Sequence, residues 1–160
     1  MIDNFENIEP NSDSLIFYNS ISNAQDRKEA DLLNGEDSLL IHSKFNISDK
    51  KRLMSELMSL YGKNNCTITN KKNVIGTPIL QASLNISFGN IYEIPCSPQT
   101  TVQLIGRDDR YGNYPATPTF NMCKTRNIGE ISAINTVYDI DLTKSWIKFC
   151  LLYTSPSPRD

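Results

Sequence analysis

The chain has 160 residues, 39% of them hydrophobic and 21% charged, with a formal net charge of -2. That is enough for one domain with a core and little more, and it excludes a wholesale basic coat for nucleic acid while leaving room for a local basic groove. No apolar run approaches membrane-spanning length, no signal pattern opens the chain, and Cys66, Cys96, Cys123 and Cys150 show no C-x-x-C spacing. With His42 the only histidine, no metal site or disulfide framework is expected, and the composition suits a cytoplasmic protein with reduced thiols.

Residues 1–12 are polar and acidic, with Pro10 as a breaker, and read as a leader or interdomain linker. Leu15 to Tyr18 is a short apolar run that fits a buried parallel strand, with Asn19 and Ser20 at its carboxyl end, where open α/β sheets carry ligand loops. Ser22 to Leu33 favours a helix closed by Asn34 and Gly35. A second strand over Ser38 to Ile41 runs into His42, Ser43, Lys44 and Phe45. Ser48 is the expected N-cap of the next helix, with Asp49 in its first turn. That helix carries Leu53, Met54, Leu57, Met58 and Leu60 and ends at Gly62.

Cys66 to Thr69 has the composition of a strand, Asn73 to Thr77 reads as a strand leading to Pro78, and Asn90 to Ile94 reads as another. Pro95 and Pro98 frame the turn into a third helix. This alternation predicts an α/β domain with a mostly parallel sheet and helices on both faces, over residues 13–115. Beyond it, 116–149 reads as the start of a C-terminal extension, with a strand over Thr119 to Cys123 and a helix from Asp139 to Phe149 anchored by Trp146. Residues 150–160 resemble, at every position, an in-frame translation of a common transposase-based sequencing adapter, so the genuine chain is expected to stop near Phe149 and the protein to continue past it.

The most informative stretch is Gln103 to Arg110, of the form Q-x-x-G-R-x-x-R. In a helix after Pro98, Gln103, Arg107 and Arg110 fall at i, i+4 and i+7 on one face, with Asp108 and Asp109 turned off it. Gly106 leaves room for close backbone approach. Two fork-shaped, always-charged donors suit a polyphosphate whose charge grows during phosphoryl transfer. The bland reading is a surface helix with two solvated arginines. His42 reads as a strand-end loop residue rather than a base, Phe17, Tyr18, Phe45 and Phe88 as packing, and Met54 and Met58 as core filler. Tyr111 and Tyr114 read as surface packing, with base stacking as the sharper alternative.

Several stretches line up in order: Leu15 to Ser20 with Ala24 and Gln25, Leu40 to Phe45, Gly76 with Thr77, Ser83 to Phe88, and Gln103 to Gly112. On these the chain resembles the second RecA-like motor domain of superfamily 2 helicases, and most of all the CRISPR-associated helicase–nuclease of type I interference. The resemblance covers about Leu15 to Asn113. It implies that Arg107 and Arg110 reach the phosphates of ATP, with its Mg²⁺, held by a first motor domain, while Gln103 orients the γ-phosphate or the water. Gly106 and Asn85 would border the nucleotide. Thr77, Ser43, Lys44, Asn19 and Ser20 would hold the backbone of a single strand, expected to be DNA. A CRISPR surveillance complex is the further expected partner, and no membrane is.

The family pattern follows its Gly-Thr with glutamine, glutamate and Ser-Leu-Asp, where this chain has Pro78, Gln81 and Asn85, and it has arginine at the Lys44 position. There is no G-x-x-x-x-G-K-[ST] loop and no Asp-Glu pair of the helicase type, so this polypeptide alone is not expected to hydrolyse ATP. A non-catalytic or degenerate helicase-like nucleic-acid-binding protein, or a phage-encoded helicase subunit, is the alternative reading. The motor reading requires both guanidiniums on one side, toward the sheet's carboxyl edge.

Overall fold

The computed structural model describes residues 13–65, 72–81, 84–93, 97–112, 114, 117–122, 141 and 145. The tail, the strand expected over Cys66 to Thr69 and all but two residues of the helix expected from Asp139 to Phe149 lie outside the described residues. Five parallel strands, β1 (Ser14–Phe17), β2 (Ser38–Ile41), β3 (Asn73–Gly76), β4 (Asn90–Glu93) and β5 (Thr119–Met122), form one sheet in the order β2-β3-β1-β4-β5. Among the described residues, three helices connect them: α1 (Ile21–Leu33), α2 (Ile47–Tyr61) and α3 (Pro98–Ile105).

The period of two along each strand sorts side chains between two cores. Ile16, Ile75 and Tyr92 point to one face, where Ala24 of α1 packs and Leu40 is partly buried. Leu15, Phe17, Leu39, Ile41, Val74 and Ile91 point to the other, which receives Leu53, Leu57 and Tyr61 of α2 and Leu104 of α3. Connection handedness explains this division. The chain moves one way across the sheet from β1 to β2 and the opposite way from β2 to β3 and from β4 to β5. Right-handed crossovers then place α1 on one face and α2 with α3 on the other. The expected fold class is what the chain adopts.

Local differences have physical causes. The N-cap of α2 is Asn46, not Ser48: Asn46 Oδ1 accepts from the Asp49 N–H at 2.8 Å, so the helix begins at Ile47. Met58 is 39% exposed and not core filler, whereas Met54 is partly buried against the core. β5, expected in an extension beyond residue 115, is paired with β4 from Asn90↔Thr119 to Glu93↔Met122 and so belongs to this sheet. Gly76 ends β3 under Leu80, where a Cβ would stand 2.3 Å from Leu80 Cδ1. That close approach lets the 3-10 turn Pro78–Gln81 fold back over the strand end.

Candidate functional site

α3 is the element that delivers the arginines. Ser97 caps it, its hydroxyl accepting from the Thr100 N–H at 3.2 Å, and Pro98 starts it with a preset φ. The helix does not run through to Arg110 as the spacing suggested. It stops at Ile105 because the segment before β4 competes for the next backbone groups: the Phe88 N–H donates to the Arg107 carbonyl at 2.9 Å, and the Asp109 N–H to the Phe88 carbonyl at 2.9 Å. Asp109 takes a positive φ of 40° and Gly112 one of 64° to make the turn.

Leaving the helix does not scatter the predicted residues. Gln103, Gly106, Arg107, Arg110 and Asn85, with Gln81 and Leu84, line one open cavity of about 570 Å³. Arg107 is 5% exposed, and its Nη1 and Nη2 donate to the carbonyls of Gln103 at 2.9 Å and Gln81 at 3.3 Å. Its buried Nε has no partner. Burial, and after it the charge of Arg110, lowers its pKa, yet a guanidinium stays protonated. Arg110 is exposed. The ion pairs among the described residues are Arg27–Asp31, Arg52–Glu56, Lys72–Asp37 and Lys72–Glu56, so neither cavity arginine has a carboxylate. Asp108 and Asp109 do not line the cavity.

The position of this cavity corrects one expectation. α3 starts at the carboxyl end of β4 and carries the chain back, so the arginine turn pairs with Phe88, just before β4 begins. The guanidiniums share a side, but they stand on the flank of α3 rather than above the carboxyl edge. Of the two conditions set by the motor reading, the shared side is therefore met and the carboxyl edge is not.

The carboxyl edge holds the other predicted set. Ser43 and Lys44 follow β2, Thr77 follows β3, and Asn19 and Ser20 follow β1, three neighbouring strands. Ser43 and Lys44 are exposed, and the Asn19 side-chain Nδ2 is buried without a partner. Thr77 is 2% exposed and its hydroxyl donates to the Ile41 carbonyl at 3.2 Å, tying β3 to β2. His42 is buried at the end of β2 and stacks on Phe45 with ring centroids 4.0 Å apart. Burial chiefly, with the charges of Lys44 and Lys50, lowers its pKa against a backbone hydrogen bond that raises it.

Among the described residues no three His, Cys, Asp or Glu side chains gather as a metal site would, and no helix is long and apolar enough to cross a membrane. The cavity's two guanidiniums are donors suited to an anion. Sequence reasoning missed the bonds that build the turn. Among those bonds are the ones made by Tyr111 and Tyr114, whose hydroxyls donate to the carbonyls of Asn85 and Ser87.

No curated protein matches the chain in sequence. Among solved structures it is similar to T. fusca Cas3 with AMPPNP (TM-score 0.75, 16% identity, 89% of this chain and 18% of that one). A CRISPR RNA-guided surveillance complex described as pre-nicking contains a similar chain (TM-score 0.72, 14% identity, 92% and 20%). The C-terminal domain of the DEAD-box protein Dbp5 shares the fold at a TM-score of 0.54 and 15% identity, over 88% of this chain and 83% of that one. The chain thus spans about a fifth of the length of the two CRISPR-related chains. Residues 10–113 match the family model described as CRISPR-associated nuclease/helicase Cas3, C-terminal. With most of its length inside that match and the RecA-like fold of such domains, the chain belongs to the Cas3-like C-terminal family.

Proposed function

We propose that the chain is the second motor domain of an ATP-dependent nucleic-acid translocase, and that its cavity receives the terminal phosphates of ATP held by a first motor domain. The observation that carries this reading is a pair of guanidiniums in one cavity with no carboxylate among the described residues to neutralise them, one of them almost fully buried. A buried, unpaired cation is costly, and an incoming anion offsets that cost. Arg107 and Arg110 would stabilise charge on the transferred phosphoryl group, and Gln103 would orient it or the attacking water. Gly106 and Asn85 border the same space. Mg²⁺ would be held by carboxylates of the first domain and by the nucleotide itself.

Ser43, Lys44, Asn19, Ser20 and Thr77 form the expected single-strand track. Such contacts grip phosphates and do not read bases. Thr77 would first have to release the Ile41 carbonyl to donate to a phosphate. Cleft closure on ATP and reopening after hydrolysis would move the track along the strand, which we take to be DNA delivered by a CRISPR surveillance complex. The similarity to T. fusca Cas3 with AMPPNP supports the nucleotide, and the similarity to a chain of the CRISPR RNA-guided surveillance complex supports the partner.

The test is ATP turnover by the protein restored to full length, or by this chain joined with a first motor domain. Arg110→Ala should lower kcat by about 10³-fold or more. Unchanged turnover rejects the phosphate assignment. Retained single-strand binding with no turnover in the unaltered protein favours a non-catalytic relative.

A further inference from the structure

Tyr111 follows Arg110 directly, and its hydroxyl donates at 2.9 Å to the carbonyl of Asn85, 26 residues away. Arg110 and Asn85 belong to different segments, yet both line the cavity. Main-chain bonds already join Phe88 to Arg107 and Asp109 behind the cavity; the Tyr111 bond adds a side-chain tie at the two residues, Arg110's neighbour and Asn85, that stand at its walls. Tyr114 makes a similar bond with a different result. Its hydroxyl donates to the Ser87 carbonyl at 3.0 Å, its N–H donates to Asp109 Oδ1 at 3.2 Å, and its ring covers Gly89, where a Cβ would stand 2.9 Å from it. Ser87 and Gly89 are buried and do not line the cavity. Tyr114 fastens the turn to the domain, whereas Tyr111 spans the site.

We propose that Tyr111 is a positioning residue that sets the opening between Arg110 and Asn85, and with it the fit of the cavity to a terminal phosphate. The inference rests on the phosphate reading of the cavity. Arg110 has an exposed, rotamer-rich side chain with no ion-pair partner among the described residues, so its aim depends on how firmly the adjoining backbone is held. The bond accepts at a backbone carbonyl, so the identity of the side chain at 85 does not weaken it. Asn85 is exposed, and water can replace the tyrosine hydroxyl on its carbonyl without leaving a buried group unsatisfied. Loss of the bond should cost aim rather than stability.

The experiment is calorimetric titration of this chain with inorganic tripolyphosphate at low ionic strength, using Tyr111→Phe, Tyr114→Phe and Arg110→Ala, with a thermal melt of each. Tyr111→Phe should weaken binding about three- to tenfold with its melting midpoint unchanged. Tyr114→Phe should lower the midpoint and keep affinity within about twofold. Binding by Tyr111→Phe equal to that of the unaltered chain, while Arg110→Ala loses binding, overturns the positioning role and leaves the phosphate reading intact. Equal weakening in both tyrosine variants overturns it as well, because the effect then belongs to the turn as a whole. No binding by the unaltered chain, or undiminished binding by Arg110→Ala, overturns the phosphate reading and this inference with it.

Discussion

Arg107 Nη2 donates to the main-chain carbonyl of Gln81 across 3.3 Å, joining the end of α3 to the turn that follows Thr77. The guanidinium is nearly buried, is answered by carbonyls rather than a carboxylate, and keeps an unpartnered Nε. An isolated buried charge carries a large desolvation cost, and an apolar side chain of similar length removes it, as happens when whole buried ion pairs are replaced by apolar residues. Arg107→Met should therefore raise stability by about 1–2 kcal/mol in a denaturant titration while abolishing tripolyphosphate binding. Arg110→Ala, at an exposed position, should lose the same binding with stability changed by less than about 0.5 kcal/mol. A marked destabilisation by Arg107→Met would mean that its two carbonyl contacts outweigh the burial of its charge.

Gly76 is fixed by packing. A Cβ there would lie 2.3 Å from Leu80 Cδ1 and 3.0 Å from Leu15 Cδ1, and both leucines are fully buried. Gly76→Ala should destabilise by about 1–3 kcal/mol through overpacking. In the double variant Gly76→Ala with Leu80→Ala, the combined loss should fall below the sum of the single losses, since removing the leucine branch relieves the clash. Additive losses would show that the methyl is absorbed elsewhere.

Asp108 is half-buried with an Oδ1 that has no partner, and burial first, then the charge of Asp109, pushes its carboxyl up to about 6. The folded chain holds this proton more tightly than the unfolded chain, whose value is 3.8. The stabilising contribution is full below the unfolded value and is lost as pH rises through about 6. After allowance for partial exposure the loss is roughly 1–2 kcal/mol. Asp108→Asn should be more stable than the unaltered chain at pH 7.5 and should flatten the slope between pH 4 and 7. His42 acts in the opposite sense, because its lowered pKa makes its contribution fall away as pH drops through 6.5, and the substitution leaves that limb in place.

At the start of α2, Asn46→Ala should cost about 1 kcal/mol, the usual value of a lost N-cap, and Ser48→Ala almost nothing. The reverse ranking would return the cap to Ser48.

The difference between Asn46 and Ser48 shows where the sequence was readable. Both residues precede the apolar run of α2 and both can cap, so local pattern placed the helix but could not choose its first turn. Strands were easier, because Leu15 to Phe17 and Leu39 to Ile41 carry the uninterrupted apolar runs of a sheet covered on both faces. The arginine motif was legible as a set of donors but not as a geometry. Whether α3 continued past Ile105 depended on Phe88, and a main-chain pairing across that separation leaves no trace in residue spacing. β5 was recognisable as a strand over Thr119 to Cys123, yet its place in the sheet depended on β4 and not on its own composition.

The pairing of Phe88 with the turn has a consequence for what mutation can change. Because main-chain groups hang Arg107 and Asp109 from Phe88, the placing of that backbone is largely indifferent to which side chain stands at 108. Charge at 108 can drift through substitution without shifting the backbone on either side, so this corner of the molecule can retune its electrostatics while its architecture stays put.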